Sequence, residues 1–416
     1  MIRSWKIEWA AFAGGTLAAG ILWLFVHAPG FEGQLSTTIG NESPKSEAQS
    51  QVQSQAQSQV QSQAKRLSDG PASERLQGGS PSSENPDPGK SDSVSGSLPV
   101  TQGLSPLTQG LTPLEPNSRY PEPFVRVYLS ESKTVETVSL ETYVRGVVAA
   151  EMPLDFEPAA LEAQALAART YILRRLMNDD RTGMPVQNAD VTDTQTHQAY
   201  RSISRMSKLL VQDREGWMKA DQACRNTRGL IIAYEGQPID ALYFSTSNGY
   251  TENSEDVFPF KLPYLRSVES PWDKEGAPRS KETVEMPLKR FYELLGAKSA
   301  QAMGPIVAGA GGGKLPIRVT ERSEGQRVKM LAVGTLKLPG TEVRSMLGLR
   351  SSSFEWVIKG SKIFITTYGS GHGVGMSQWG AEGMAKAGST SREIVEHYYP
   401  GVNLMEVSKL PNGSTL

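Results

Sequence analysis

From Phe124 the chain alternates apolar and other residues, with Val125, Val127 and Leu129 two apart, which predicts a strand. A second short strand is expected over Val135 to Val138. Ser139 then reads as an N-cap with Glu141 in the first helical turn. Leu140, Tyr143, Val144, Val147 and Val148 follow the i, +3, +4, +7, +8 spacing of one helix face up to Pro153. Continued to +11, that stripe reaches Glu151, so a carboxylate falls on the buried face at the last turn.

Pro158 opens a second helix to about Met177, with Leu161, Ala165, Ala168, Ile172 and Leu176 on one face and alanines that allow close packing. Gln164, Arg169 and Tyr171 lie on neighbouring faces. A polar stretch with His197 and Tyr200 follows, then a helix expected around Ser207 to Asn226. Leu230 to Tyr234 and Ile239 to Ser245 read as a hairpin about Glu-Gly-Gln-Pro. It leads into the polar loop STSNGYTENSED, residues 245–256. Pro287 opens a short helix that stops at Gly296. Residues 317–320 and 327–333 suggest a hairpin, and Phe354 to Thr367 further strands. A glycine-rich turn at 369–375 precedes a helix through Ala387. Interspersed strands and helices predict an α+β fold.

The pattern upstream is different. Residues 9–26 carry no charge and would span roughly 27 Å as a helix, about one hydrocarbon core. Arg3 and Lys6 precede them, and the next Lys or Arg is Lys45, so the amino terminus is expected in the cytoplasm and the remainder outside. A cleaved signal peptide would have a shorter apolar run and a small-residue cleavage site, unlike the His-Ala-Pro-Gly found here. Glu32 to Arg119 contain no aromatic residue, and Gln49 to Ala64 repeat the octamer QSQVQSQA. Such a segment buries too little apolar surface to offset its ordering entropy. A flexible chain of ~90 residues has a reach of about 50 Å. The expected organisation is an anchor over 1–29, a disordered tether over 30–119 and a single large folded head over 120–410.

Composition narrows the chemistry. The 416 residues hold 43 Lys+Arg against 44 Asp+Glu, which argues against a nucleic-acid binder needing a basic excess. One cysteine, Cys224, excludes an intramolecular disulfide and paired-cysteine zinc sites. His197 and Cys224 are soft ligands without zinc spacing, so no metal or cofactor is expected.

Glu151 is the sharpest candidate for chemistry. Burial and the negative end of a helix dipole both disfavour its charged form, so it would hold a proton for donation to a glycosidic oxygen. The bland alternative is a buried Glu paired with an arginine such as Arg169. The 245–256 loop offers Ser245, Ser247, Asn248, Thr251, Glu252 and Asn253 to sugar hydroxyls, or is an ordinary turn-rich loop. A serine hydrolase using Ser245 or Ser247 with His372 lacks a G-x-S-x-G elbow. GSGHGVG ends in no G-K-[ST], so its glycines fit a tight turn beside a cleft better than a phosphate loop.

Taken together, LETYVRGVVAAEMP (140–153), ALEAQALAARTY (160–171), TRGLIIAYEGQPIDALYFSTSNGYTENSEDVF (227–258), PYLRSVESPWD (263–273), GHGVGMSQWGAEGMAKAG (371–388) and HYYPG (397–401) resemble the SpoIID/LytB family. The resemblance covers most of 120–405, and anchor and tether fit it. It implies an extracytoplasmic lytic transglycosylase with a glycan cleft, acting on peptidoglycan in septal thinning and engulfment, with Glu151 of the A-E-M-P block as catalytic acid. By the same resemblance Gln164, Arg169, Tyr171, the 245–253 loop and His372, Gly373, Ser377 and Gln378 would bind the glycan. Some relatives hold a metal through a histidine and cysteines; here His197 has no neighbouring cysteine.

The resemblance implies partners as well: a membrane complex with a sporulation amidase and endopeptidase and with a multi-pass membrane protein. Its members include amidase enhancers, so a non-catalytic activator of a cell-wall amidase is the main rival. A wall-binding module that releases nothing is the second.

Overall fold

A computed structural model describes residues 122–278, 280–296 and 316–410. The proposed anchor and tether lie outside the described residues. Among the described residues no helix is long and apolar enough to cross a membrane. The fold is mixed α+β, as the pattern predicts.

Strand β1 (Phe124–Leu129) pairs antiparallel with β2 (Thr134–Ser139), Phe124 opposite Ser139. Val125 and Val127 point inward and are fully buried. Helix α1 (Leu140–Glu151) follows without a break, and its predicted stripe of Leu140, Tyr143, Val144, Val147 and Val148 is fully buried. Ser139 does occupy the N-cap, but its hydroxyl donates to the Thr142 hydroxyl at 3.1 Å. The Glu122 carboxylate caps instead, accepting from the Glu141 N–H at 2.7 Å.

Helix α2 (Pro158–Met177) is the central element, packed by α1 and by strands and helices from later in the chain. Sequence predicts one buried face; the structure buries every residue from Ala163 to Thr170, because Ala163, Ala165, Ala167 and Ala168 let neighbours approach from several sides. After β3 (Val191–Thr192), parallel to β1, come α3 (Ile203–Gln212) and α4 (Arg214–Asn226). The single helix expected over 207–226 is thus two. Asp213 leaves the helical conformation and its carboxylate accepts from the Gly216 N–H, starting the second helix.

Strand β4 (Leu230–Tyr234) pairs with the short β5 (Gln237–Pro238). The expected second hairpin arm does not continue along β4. Pro238 has no N–H for the ladder, and after one further bond from the Ile239 N–H to the Ile232 carbonyl the chain departs. Residues 243–244 form β6 (Tyr243–Phe244) and pair in parallel with a strand beyond residue 370, so the hairpin exit is joined to the glycine-rich turn.

The chain then makes a short helix, α5 (Asp273–Gly276), and a second layered unit. This comprises β7 (Lys281–Pro287), α6 (Leu288–Leu294), the meander β8 (Ile317–Arg322), β9 (Val328–Val333) and β10 (Leu336–Pro339), α7 (Gly340–Leu347), and the hairpin β11 (Phe354–Lys359) and β12 (Lys362–Tyr368). Leu288, Phe291, Leu331, Val343, Ile363 and Ile365 centre its own core. The chain returns through β13 (Met376–Ser377), α8 (Gln378–Lys386), α9 (Ser391–Tyr398) and β14 (Asn403–Glu406), which completes the sheet on β4.

Candidate active site

Glu151 ends α1, one residue before the chain turns extended at Met152. It keeps some solvent access although protein packs densely around it. Its Oε1 accepts from the Ala199 N–H at 2.7 Å. The Gln378 amide, at the start of α8, donates to the Glu151 carbonyl at 3.2 Å and to Oε2 at 3.5 Å. The Gln164 Oε1 accepts from the same Gln378 nitrogen at 3.4 Å. Burial raises the Glu151 pKa above the ordinary carboxyl value, against the opposing pull of Ala199, Gln378 and Tyr243. The C-terminal helix position acts in the same direction as burial.

The hydroxyls of Tyr143 and Tyr243 lie near this carboxyl, and Tyr171 neighbours those two tyrosines. Tyr143 donates to the Gln198 Oε1 at 3.0 Å, and its phenol is raised well above the usual range by burial, with Tyr171 and Glu151 adding to the rise. Tyr243 lies close enough to Glu151 to favour its charged form, though its buried hydroxyl makes no hydrogen bond of good geometry. Burial holds Tyr243 protonated as well, and pushes Tyr171 up to about 12. All three therefore stay neutral donors at any physiological pH. Sequence reasoning did not select Tyr143, Gln198, Ala199 or Tyr243. A tyrosine in an otherwise aliphatic stripe was the available signal for Tyr143; the others become visible only when the 193–201 segment folds back over α1.

That segment is held by close approach. Tyr143 and Tyr200 stack at 5.4 Å, the Arg201 N–H donates to the Gly146 carbonyl at 3.1 Å, and Gly146 leaves no room for a side chain beneath the Tyr200 ring.

The glycine-rich turn positions the other side of the site. His372 Nδ1 accepts from the Val374 N–H at 3.1 Å, so its Nε2 carries the proton and donates to the Tyr243 carbonyl at 3.1 Å. Burial pushes its pKa down to about 3, so the ring is neutral. Gly375, at φ 80°, sits against the Leu242 carbonyl where a Cβ would collide. His372 thus holds the backbone of β6, and with it Tyr243.

The loop serines do a different job. Ser247 donates to the buried Asp273 carboxylate at 2.7 Å, Ser270 at 2.6 Å and Ser377 at 2.5 Å, so Asp273 ties loop, α5 and α8 together. Ser245 meets Thr246 at 3.1 Å. With Ser247 on Asp273 and both His372 nitrogens on main chain, the serine-hydrolase arrangement is not formed. Thr251 bonds the Arg266 carbonyl and the Val268 N–H, and Asn253 bonds Glu324 and the Ser267 N–H. Asn248 donates to the Gly325 carbonyl at 2.9 Å and Ser353 at 3.1 Å. Asn248 and Asn253 thus dock the loop on the second unit, while Thr251 ties it to the segment at 266–268.

Arg169 is fully buried and forks onto Glu141 at 2.8 and 2.7 Å, with further bonds to the carbonyls of Leu230 and Cys224. The arginine partner imagined for Glu151 thus belongs to Glu141. Glu252 is buried, accepts from Ser323 at 2.8 Å and lies 3.8 Å from Arg327. Burial raises its pKa to about 7, moderated by Arg327. A pocket of about 200 Å³ opens there, lined by Glu252, Asp256, Arg327 and Lys329; Glu151 is not in its lining. Gly373, at φ 91°, lies where a Cβ would come within 2.6 Å of the Arg327 guanidinium.

Among the described residues no three His, Cys, Asp or Glu side chains are grouped to hold a metal. His197 accepts from the Thr192 N–H at 3.1 Å and contacts the Thr182 carbonyl at 3.0 Å, and burial lowers its pKa to about 4. Burial pushes the Cys224 thiol up to about 12, the wrong direction for a thiolate ligand.

Comparison with known proteins adds an independent line. A family model described as stage II sporulation protein, SpoIID, matches residues 128–234. The chain is 43% identical over 293 residues to stage II sporulation protein D of Bacillus amyloliquefaciens, covering 70% of this chain and 81% of that protein. Stage II sporulation protein D of Bacillus subtilis (strain 168) is 41% identical over 291 residues, covering 69% and 80%. A Bacillus subtilis protein named amidase enhancer is 28% identical over 303 residues, covering 63% of this chain and 40% of that protein.

Proposed function

The chain belongs to the stage II sporulation protein D family, and on that premise we propose that it is a lytic transglycosylase cleaving peptidoglycan between N-acetylmuramic acid and N-acetylglucosamine during septal thinning and engulfment. The observation that carries this reading is Glu151: a carboxyl at a helix end, raised in pKa by burial, with neutral donors on its other sides.

The chemistry needs one acid. A hydrolytic glycosidase pairs two carboxylates, an acid with a base or nucleophile. In the reaction proposed here the sugar supplies its own nucleophile. Glu151 gives its proton to the oxygen between the two sugars, and the bond to the muramic anomeric carbon breaks. The 6-hydroxyl oxygen of that muramic residue then bonds to the anomeric carbon, and its proton passes to the Glu151 carboxylate. The products are a 1,6-anhydro end and a free hydroxyl on the leaving sugar, and the enzyme ends protonated as it began. Ala199, Gln378 and Tyr243 steady the carboxylate between the two proton transfers.

Residues 9–26 would anchor the chain with its head outside the membrane, and residues 30–119 would let the head reach the wall. A membrane complex with a sporulation amidase and endopeptidase and a multi-pass protein completes the proposal. The similarity to an amidase enhancer supports one rival, a head that activates an amidase and cleaves nothing. Mass spectrometry of peptide-stripped glycan strands after digestion decides. Anhydro-muramyl ends that disappear in Glu151→Ala are expected. The same products from that variant would overturn the assignment, and stimulation of an amidase without any strand cleavage would favour the rival.

A further inference from the structure

Two buried side-chain amides beside Glu151 have nitrogens without a partner. Gln164 and Gln198 are both buried, and neither Nε2 has a hydrogen-bond partner. Buried donors are almost always paired, so two on elements that meet at Glu151 call for an explanation, and a site completed by its ligand is one.

The orientation of Gln164 is fixed by its neighbours. Gln378 must present its nitrogen to the Glu151 main-chain carbonyl, which can only accept. That same nitrogen faces Gln164 at 3.4 Å, so Gln164 must answer with its oxygen. Its NH2 group is thereby turned away from Gln378. On the other side, Gln198 precedes Ala199, whose N–H holds the Glu151 carboxylate, and the Gln198 oxygen accepts from Tyr143 at 3.0 Å. Each amide therefore has its acceptor end engaged; the Gln164 donor end has no partner, and the Gln198 donor end is turned to the Tyr243 hydroxyl without a well-formed bond. The Tyr243 hydroxyl, against both Gln198 and Glu151, adds a third buried group without a well-formed bond.

We propose that the amides of Gln164 and Gln198 form a socket for the 2-acetamido carbonyl of the amino sugar whose glycosidic oxygen meets Glu151. The inference rests on the glycan-cleaving reading and adds to it the feature of the sugar that is read. A carbonyl oxygen accepts two hydrogen bonds and donates none, matching unused donors from two elements. A carboxylate fits less well, because the ionised form of Glu151 would repel it. The socket makes the site selective for N-acetylated sugars and registers the strand so that the scissile oxygen meets the acid.

The test uses the full chain in detergent, carrying Glu151→Gln to stop turnover, and calorimetric binding of peptide-free glycan strands. The probes are N-acetylated strands, the same strands de-N-acetylated, and de-N-acetylated strands re-acylated with formyl groups, which restore the carbonyl without the methyl. De-N-acetylation is expected to weaken binding about tenfold or more, and formylation to restore most of it. Adding Gln164→Met or Gln198→Met should lower affinity for acetylated strands and level the three probes; two variants on separate elements guard against one failing to fold. Unchanged discrimination in both variants overturns the socket even where the Glu151 chain cleaves strands normally. Discrimination lost as expected, together with no anhydro ends from the chain that keeps Glu151, removes the transglycosylase reading and leaves the socket. A parent that binds none of the strands removes both.

Discussion

The Gln378 amide nitrogen reaches both the main-chain carbonyl of Glu151, at 3.2 Å, and its carboxylate, at 3.5 Å. The first bond fixes where Gln378 sits; the second favours the ionised form of the acid. Burial raises the Glu151 pKa and Gln378 partly offsets that rise. A general acid must start protonated, so kcat/KM falls as pH rises through its pKa. Gln378→Met removes a stabiliser of the charged form, and Tyr243→Phe another. Each is expected to move the alkaline limb of anhydro-product release upward, by about half to one pH unit for one hydrogen bond to a charged group. A limb that moves to lower pH would remove Glu151 from the role of acid.

Arg169 and Glu141 form an ion pair with almost no exposure, 0% and 1%. Removing the cation alone leaves a carboxylate with its charge buried, so Arg169→Met should cost roughly 3–5 kcal/mol in urea unfolding. The double variant Glu141→Leu with Arg169→Met replaces the pair by apolar groups and should recover more than half of that loss. Equal losses from the single and double variants would show that the charge left behind is not what matters. The resemblance assigns Arg169 to the glycan; the geometry makes it the clasp between α1, α2 and α4.

The elements that sequence located well are those with a single period and a sharp start. The α1 stripe, Pro158, the β8–β9 hairpin and the helix after Ser377 all carry local signals, and Glu151 was reachable from the first of them. What was not legible depends on long-range closure. β6 pairs with β13 across more than a hundred residues, so nothing local announces that Tyr243 will stand beside Glu151. Gln198 and Ala199 come to the acid only because Gly146 lets Tyr200 lie flat on α1. The polar loop misled for the opposite reason: its hydroxyls look available along the chain, while Asp273, distant in sequence, has already collected that of Ser247.

Glu252 gives the fold a pH dependence of its own. Burial raises its folded pKa to about 7 from the ordinary 4.5. A raised carboxyl favours the folded state fully below the unfolded value, and that contribution is lost as pH climbs from about 4.5 to about 7. Glu252→Gln mimics the protonated group at every pH. It should match the parent near pH 4 and exceed it at pH 8, by an amount on the order of 1–3 kcal/mol in chemical denaturation. Lower stability of the variant at pH 8 would mean that attraction to Arg327, 3.8 Å away, outweighs burial.

Gly146 links stability to catalysis. Its Cα faces the Tyr200 ring, and a Cβ there would overlap the ring and come within 2.8 Å of the Arg201 carbonyl. Neither neighbour can yield cheaply, since Tyr200 is stacked on Tyr143 and the Arg201 N–H is bonded to the Gly146 carbonyl itself. Gly146→Ala must therefore lift the 198–201 segment from α1, at a cost of about 1–3 kcal/mol typical of overpacking. The same lift draws the Ala199 N–H away from Glu151, a bond of 2.7 Å that favours the carboxylate. The variant should lose stability and also shift its alkaline activity limb upward, in the direction expected for Gln378→Met. Carrying both substitutions should shift it further, because the two donors act on different oxygens of the acid. Lost stability with an unmoved limb would separate the Tyr200 contact from the chemistry and leave Ala199 without influence on the acid.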